Sequence, residues 1–369
     1  MRLLIDLSTF TKSHNGGKDQ VAYNLLRGFS KLELTSNIIC VAKEEMVGKI
    51  KKIDKDYCVI PINRMCLGTR IGPIISTIPD IVYAAKLNDV IKKHHIDAVL
   101  YTNKFVPPVK LSAPTIVIPH DIQPLTICKE DNSLYAKCAA IMTKKTLAVC
   151  DYIIAISDFD RNDMISKIPE YTDKFIKIYN PIYFNNNYEN LDKKYITAIN
   201  IQWEHKNVQT IINAYAQVAT KTDLSLMLVG KFPKNIDELK AIVRENNLED
   251  KVIFTGFISD DQMATIVSKT RIYINASYFE GFGMTSVEMM GSGIPTIVAD
   301  NTAQKEVTMG LCRYYEPTDD KLKLAEQILE EIQKPKTENE LNIIAKTIRE
   351  QYSYEVIANK YWKFIEECI

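Results

Sequence analysis

The stretch from Arg271 to Asp300 constrains the fold more than any other part of this chain. An apolar run, Arg271-Ile-Tyr-Ile-Asn275, leads into Ser277-Tyr-Phe-Glu280-Gly-Phe-Gly283-Met-Thr-Ser-Val-Glu288-Met-Met-Gly291-Ser-Gly293, and a second apolar run follows from Ile294 to Ala299. Four of the chain's 13 glycines fall between Gly281 and Gly293. Strand, glycine-rich loop, short helix and strand make a βαβ unit, and the loop of such a unit lies where parallel sheets bind ligands. Gly281 and Gly283 let backbone come close to a ligand, and the helix expected at 284–291 aims the amides around Phe282, Gly283, Met284 and Thr285 at an anion. Glu280 sits in the loop and Glu288 one turn into the helix. Dipoles for phosphate beside two carboxylates for hydroxyls suit a nucleotide sugar.

The rest of the chain repeats this architecture. Strands are expected at 2–6, 37–42, 57–62, 97–101, 115–118, 152–156 and 174–178, and helices at 18–32, 74–94, 133–150 and 158–168. Val21, Leu25 and Phe29, for example, recur at helical spacing. Alternation of this kind implies a mostly parallel sheet with helices on both faces. A loose stretch from Tyr179 to Tyr188, with a proline and three consecutive asparagines, reads as a linker. After it come strands at 194–199, 224–229, 251–254, 271–275 and 294–299, with helices near 207–219, 235–247, 259–269 and 284–291. The tail from Ser353 to Ile369 reads as one amphipathic helix.

With 369 residues, two ordinary domains can each bury a core. Lys and Arg total 46 against 46 Asp and Glu, and that neutrality argues against a nucleic-acid binder. Residues 1–180 hold 25 basic and 19 acidic side chains, a net of +6, so the remainder carries −6. The asymmetry suits an acidic acceptor or an anionic membrane surface, or is scatter of solvated charge. Lys49, Lys51, Lys52, Lys55, Arg64 and Arg70 bracket the stretch before the apolar run Ile71 to Ile78, opposed by Glu44, Glu45, Asp54 and Asp56. Eight cysteines without a CxxC pair read as reduced core thiols of a cytoplasmic protein. No uncharged apolar run approaches the roughly 20 residues that span a bilayer, so any membrane contact is expected to be peripheral.

The 277–295 segment resembles the donor-site signature of the family-four glycosyltransferases, roughly Pro-Ser-x-x-Glu-Gly-Phe-Gly-Leu-Pro-x-x-Glu-Ala-Met-Ala-x-Gly-x-Pro-Val. Ser277, Glu280-Gly281-Phe282-Gly283, Glu288, Gly293 and Pro295 keep the pattern, and Ala276, Met284, Thr285 and Met289 depart from it. The resemblance implies the GT-B fold: two Rossmann-like domains facing across a cleft, here 1–180 for the acceptor and 181–350 for the nucleotide sugar. A helix at 351–369 is expected to cross back onto the first domain. It further implies that Glu280 contacts hydroxyls of the donor sugar and that Glu288 holds the ribose.

Each of these residues has a plainer alternative. Glu280 could be a solvated loop carboxylate, and Thr285-Ser-Val-Glu288 has the form of a capping box in which Glu288 bonds the start of its own helix. Lys206, just before a helix expected to open at Asn207, corresponds to the family lysine that neutralises the donor diphosphate. The arginine usual beside it, or five residues before, is replaced by His205 and Ile201. A protonated His205 would supply part of that charge, but an unperturbed imidazole is mostly neutral at pH 7. In the first half, the Asn15-Gly16-Gly17-Lys18 turn is implied to approach the donor phosphate, and Pro119-His120-Asp121 to face donor sugar and acceptor. Ser157 reads first as a helix N-cap.

The expectation is therefore a retaining hexosyltransferase that moves a sugar from a nucleoside diphosphate to a glycan or lipid-linked acceptor. No resident cofactor and no metal are expected, since no acidic metal cluster is visible and Lys206 with the helix end would stabilise the leaving group. The alternatives are an epimerase or hydrolase on the same fold, or a nucleotide-sugar-binding subunit of low intrinsic activity.

Overall fold

The computed structural model describes residues 1–11, 16–64, 73–122, 125, 133–185 and 192–369, and of residues 73–77 and 135 only the backbone. Asn15, Cys66, Arg70, Ile71, Cys128, Asn186, Asn187 and Tyr188, which carried sequence expectations, lie outside the described residues. The chain divides into two compact units, Met1–Ile182 with Tyr352–Ile369, and Tyr183–Gln351. Both are α/β.

In the first unit, β1 (Leu3–Leu7), β2 (Ile38–Ala42), β3 (Cys58–Pro61), β4 (Ala98–Tyr101), β5 (Thr115–Val117), β6 (Tyr152–Ala155) and β7 (Phe175–Lys177) form one parallel sheet. Its order is β3-β2-β1-β4-β5-β6-β7, so the winding direction reverses between β1 and β4. Helices α1 (Gly17–Lys31), α2 (Glu44–Lys51), α3 (Pro73–His94), α4 (Leu134–Val149) and α5 (Asp158–Lys167) make the connections. Every residue of β1 is buried, including Asp6, whose carboxylate accepts from the Tyr83 hydroxyl at 2.7 Å and the Ser8 amide at 2.8 Å. The charge in that strand is thus satisfied inside the core. Ser157 caps α5, its hydroxyl accepting from the Asp160 amide.

The second unit repeats the plan with β8 (Tyr195–Ile199), β9 (Ser225–Val229), β10 (Val252–Phe254), β11 (Thr270–Asn275), β12 (Thr296–Ala299) and β13 (Arg313–Tyr315), again all parallel. The order β10-β9-β8-β11-β12-β13 puts the reversal between β8 and β11. Its helices are α6 (Val208–Val218), α7 (Ile236–Glu245), α8 (Asp260–Ser268), α9 (Met284–Gly291), α10 (Gln304–Val307), α11 (Lys321–Gln333) and α12 (Glu338–Tyr352), the last ending at the boundary between units. Ile211, Ile212 and Tyr215 of α6 and Leu324 and Ile328 of α11 belong to one buried cluster with Leu226, Leu228 and Ile272 of the sheet. Helices α2, α10, α11 and α12 and strand β13 were not apparent in the sequence. In α11 the apolar seam is narrow, and one buried position is the carboxylate Glu331, neutralised by Arg313 Nε at 2.7 Å.

The terminal helix α13 (Tyr354–Cys368) packs against α1. Its buried residues are Ile357, Ala358, Tyr361, Trp362 and Ile365, while Tyr354 and Phe364 are only partly covered. Gly28 makes the close approach possible: a Cβ there would run into Ala358 Cβ and the Tyr354 carbonyl oxygen.

Two expectations about side chains are corrected. Arg64 does not join a surface basic patch; it is 7% exposed, forked onto Asp80 at 2.8–3.0 Å and bonded to the Phe105 carbonyl, so a local carboxylate consumes its charge. Nor are the thiols all in the core, since Cys58 and Cys368 are exposed. Among the described residues, no helix is long and apolar enough to cross a membrane.

Candidate active site

Sheets of this kind bind ligands outside the C-terminal ends of their strands, where the winding reverses. In the second unit that point lies between β8 and β11, and the loops leaving these two strands carry Lys206 and Glu280. Their side chains meet: Lys206 Nζ lies 2.5 Å from Glu280 Oε1, with both side chains less than a fifth exposed. Glu280 is therefore not a solvated loop carboxylate. Ser277 Oγ donates to the same oxygen at 2.9 Å and Asn275 Nδ2 at 3.3 Å. The Glu280 amide donates to Thr302 Oγ1 at 3.1 Å, which fixes the backbone as well. Three donors on Oε1 leave Oε2 uncommitted among the described residues, and Lys206 keeps two further N–H donors. One face of the pair can thus accept from hydroxyls while the other donates to an anion.

Behind Glu280 lies a polar relay that sequence reasoning missed. Asn275, the last residue of β11, donates to Ser286 Oγ at 3.0 Å, and Ser286 Oγ donates to Gln304 Oε1 at 3.3 Å. Gln304 is fully buried against Gly283, whose φ of +83° favours glycine and where a Cβ would come within 3.1 Å of Gln304 Oε1. Asn275 had read simply as the end of a strand; a polar residue at a strand's C-terminal end beside a glycine loop was the signal available.

The turn at Gly283 also settles the second glutamate's local role. Gly283 is the N-cap of α9, and no side chain caps it. Thr285 is the second helical residue and Glu288 the fifth, so the capping box does not form. Glu288 is half-buried, and burial of its carboxyl pushes its pKa up from 4.5 to about 7. Met284 and Thr285 head the helix, where amides have no intrahelical acceptor. Phe282 is buried and anchors the loop, leaving its backbone beside these amides.

His205 is exposed and lies in a short 3₁₀ turn, Glu204–Lys206. Partial desolvation of its ring, which the residue's overall exposure does not remove, and then the adjacent Lys206 charge lower its pKa, so it does not stand in for the missing arginine at neutral pH. Ile201 is buried.

In the first unit, Gly16 and Gly17 open α1, and His120 follows β5. Gly16 has an ordinary negative φ and room for a Cβ, whose nearest contact would be Asp19 Oδ2 at 3.9 Å, so neither backbone strain nor crowding by the fold demands glycine there. His120 is 9% exposed and takes a positive φ of 62°, with Nε2 3.0 Å from the Thr102 carbonyl oxygen. Burial, then the Lys18 charge, lowers its pKa to about 4. The ring is neutral at physiological pH; Nε2–H donates to that carbonyl, which leaves Nδ1 as an acceptor. Asp121 pairs with Lys18 and Lys104, each at 2.6 Å. Among the described residues, no group of three or more His, Cys, Asp or Glu side chains is placed to hold a metal ion.

Two Rossmann-like α/β units, one with a lysine–carboxylate pair and a glycine-capped helix at its switch point, define the class of GT-B proteins. The whole chain superposes on HepE of Anabaena, solved with UDP, at a TM-score of 0.74 with 16% identity and 100% of each chain covered. It superposes on sucrose-phosphate synthase of Thermosynechococcus elongatus at 0.72 with 16% identity, covering 100% of this chain and 99% of that one. Residues 180–348 match the family model described as "Glycosyl transferases group 1". The O-antigen chain mannosyltransferase RfbU of Salmonella typhimurium is 22% identical over 86% of this chain and 88% of its own length. A Campylobacter jejuni N-acetylgalactosaminyltransferase named for a diphospho-undecaprenol substrate is 33% identical over 30% of this chain and 29% of its own. The match to the group 1 glycosyl transferase model lies almost wholly in the second unit and covers less than half of the chain.

Proposed function

We propose that this glycosyltransferase moves a hexosyl group from a nucleoside diphosphate to a glycan or lipid-linked acceptor, with retention of configuration and without a metal ion. The carrying observation is the Lys206–Glu280 pair at the switch point. Lys206 offers its remaining donors to the diphosphate together with the Met284 and Thr285 amides, and Glu280 accepts from donor-sugar hydroxyls through its uncommitted oxygen. Glu288 takes the ribose hydroxyls, and in the first unit the neutral His120 offers Nδ1 as an acceptor to a hydroxyl of the acceptor. As the bond from the anomeric carbon to the diphosphate breaks, a bond to the acceptor oxygen forms, and the acceptor proton leaves with the diphosphate. Fixed positive ends stabilise the charge that develops there without reorganising.

The similarity to an O-antigen mannosyltransferase and to a diphospho-undecaprenol-dependent enzyme supports a membrane-linked acceptor, reached from a peripheral position. Incubating the isolated chain with a panel of nucleoside diphosphate sugars and prenyl-linked or soluble saccharides tests the proposal. Net transfer with the anomer retained supports it, whereas inversion, epimerisation or hydrolysis alone would refute it. One observation favours a second reading, a subunit of low activity that binds the donor for a partner: Ile201 and a neutral His205 leave the diphosphate one cation short. Tight donor binding without turnover is its signature.

A further inference from the structure

The first unit has a switch point of its own, between β1 and β4, and two lysines converge on it. Lys18 lies in the first turn of the helix that follows β1, Lys104 lies in the loop after β4, and both reach Asp121 after β5 at 2.6 Å. Two ammonium groups share this carboxylate, and the buried Asp160, its pKa pushed up to about 7 chiefly by burial, lies near enough to feel the Asp121 charge. Burial alone would raise the Asp121 pKa, but Lys18 and then Lys104 outweigh it and bring it to about 2, so the carboxylate stays ionised. Each ammonium has three donors, and each donates to Asp121 alone among the described residues. Lys104 is only 19% exposed, which limits how far water can serve its remaining donors. Thr102, two residues earlier in the chain, is fully buried, and its hydroxyl has no hydrogen-bond partner among the described residues. A structural ion pair with Asp121 needs one lysine, not two.

We infer that Lys104 and Lys18 form a seat for an anionic group of the acceptor, a phosphate or a carboxylate, with Asp121 holding the two ammonium groups in place until it binds. The assignment rests on the glycosyltransferase reading above and adds the chemical class of the acceptor to it. It also predicts an effect opposite to that of a structural salt bridge: neutralising Asp121 should tighten anion binding.

The test is calorimetric titration of inorganic pyrophosphate into protein already saturated with nucleoside diphosphate, so that the second unit's site is filled. Wild type should take up one further pyrophosphate. Lys104→Met should weaken that uptake by about tenfold or more, the value of one charge-assisted hydrogen bond. Asp121→Asn should strengthen it, and Lys110→Met, a surface control, should leave it unchanged. Parallel titrations with farnesyl diphosphate and with glucuronate separate the sources: preference for the first marks a lipid diphosphate, and preference for the last an acidic sugar. No uptake of any probe by saturated wild type, or uptake unaffected by Lys104→Met in a protein of unchanged circular dichroism, overturns the inference. Weaker uptake by Asp121→Asn also counts against it. If the nucleoside diphosphate itself fails to bind wild type, it is the function proposed above that fails.

Discussion

Glu288 ties ligand binding to stability in a way that can be measured at one position. Its carboxyl is buried without a compensating cation, which moves its pKa from 4.5 to about 7. Such a shift corresponds to at most about 3 kcal/mol against the ionised form. Because the folded pKa lies above the unfolded one, the stability is fully present below pH 4.5 and is lost progressively as pH rises to about 7. Above that the deficit is constant. Glu288→Gln keeps the shape and removes the charge, so it should raise stability at pH 8 by about 1–3 kcal/mol and change it little at pH 4. On the ribose assignment proposed above, the same variant should bind nucleoside diphosphate more weakly, because an amide replaces the accepting carboxylate. Urea denaturation at both pH values, followed by tryptophan fluorescence, gives the first quantity. Calorimetry with nucleoside diphosphate in two buffers of different ionisation enthalpy gives the second and shows whether wild type releases a proton on binding near pH 7. Equal stabilisation at pH 4 and pH 8 would refute the burial argument; unchanged nucleotide affinity would refute the ribose assignment.

Lys206→Ala should lower kcat by about 10²–10³, the scale of losing one transition-state donor, and Glu280→Ala on top of it should cost less than the two single effects combined; kinetics of all three variants checks this. Activity should persist in EDTA, and loss restored by magnesium or manganese would overturn the metal-free proposal. Gly28→Ala should destabilise the first unit by about 1–3 kcal/mol, since its methyl meets Ala358 and the Tyr354 carbonyl, and removing residues 353–369 should lower the melting temperature further; a truncated protein that melts like wild type would contradict the α1–α13 packing. Co-sedimentation with anionic vesicles should be weak at low salt and vanish at high salt, with Arg64→Gln making no difference because that side chain already serves Asp80.

What the sequence determined alone was local. Apolar period and turn residues are properties of neighbours in the chain, so every strand of both sheets except β13 and most of their connecting helices were legible. The Ser277–Pro295 pattern located the candidate site loop because its glycines, phenylalanine and carboxylates lie within one βα turn. Helix α11 escaped because its narrow seam is surrounded by Lys and Glu, and the buried Glu331 looks polar until Arg313 is placed beside it. Everything that depends on two distant segments meeting was decided by the tertiary structure. Lys206 and Glu280 are 74 residues apart, and only the adjacency of β8 and β11 turns a loop lysine and a loop glutamate into one charge-paired site. Gly283's positive φ started α9 one residue before Thr285, which removed the capping box that spelling alone allowed. Burial, which is set by the whole surface around a group, raised Glu288, neutralised His120 and withdrew Arg64 from the surface. Period and turn chemistry act between neighbours, whereas charge pairing and desolvation act through space, and that space exists only once the chain has folded.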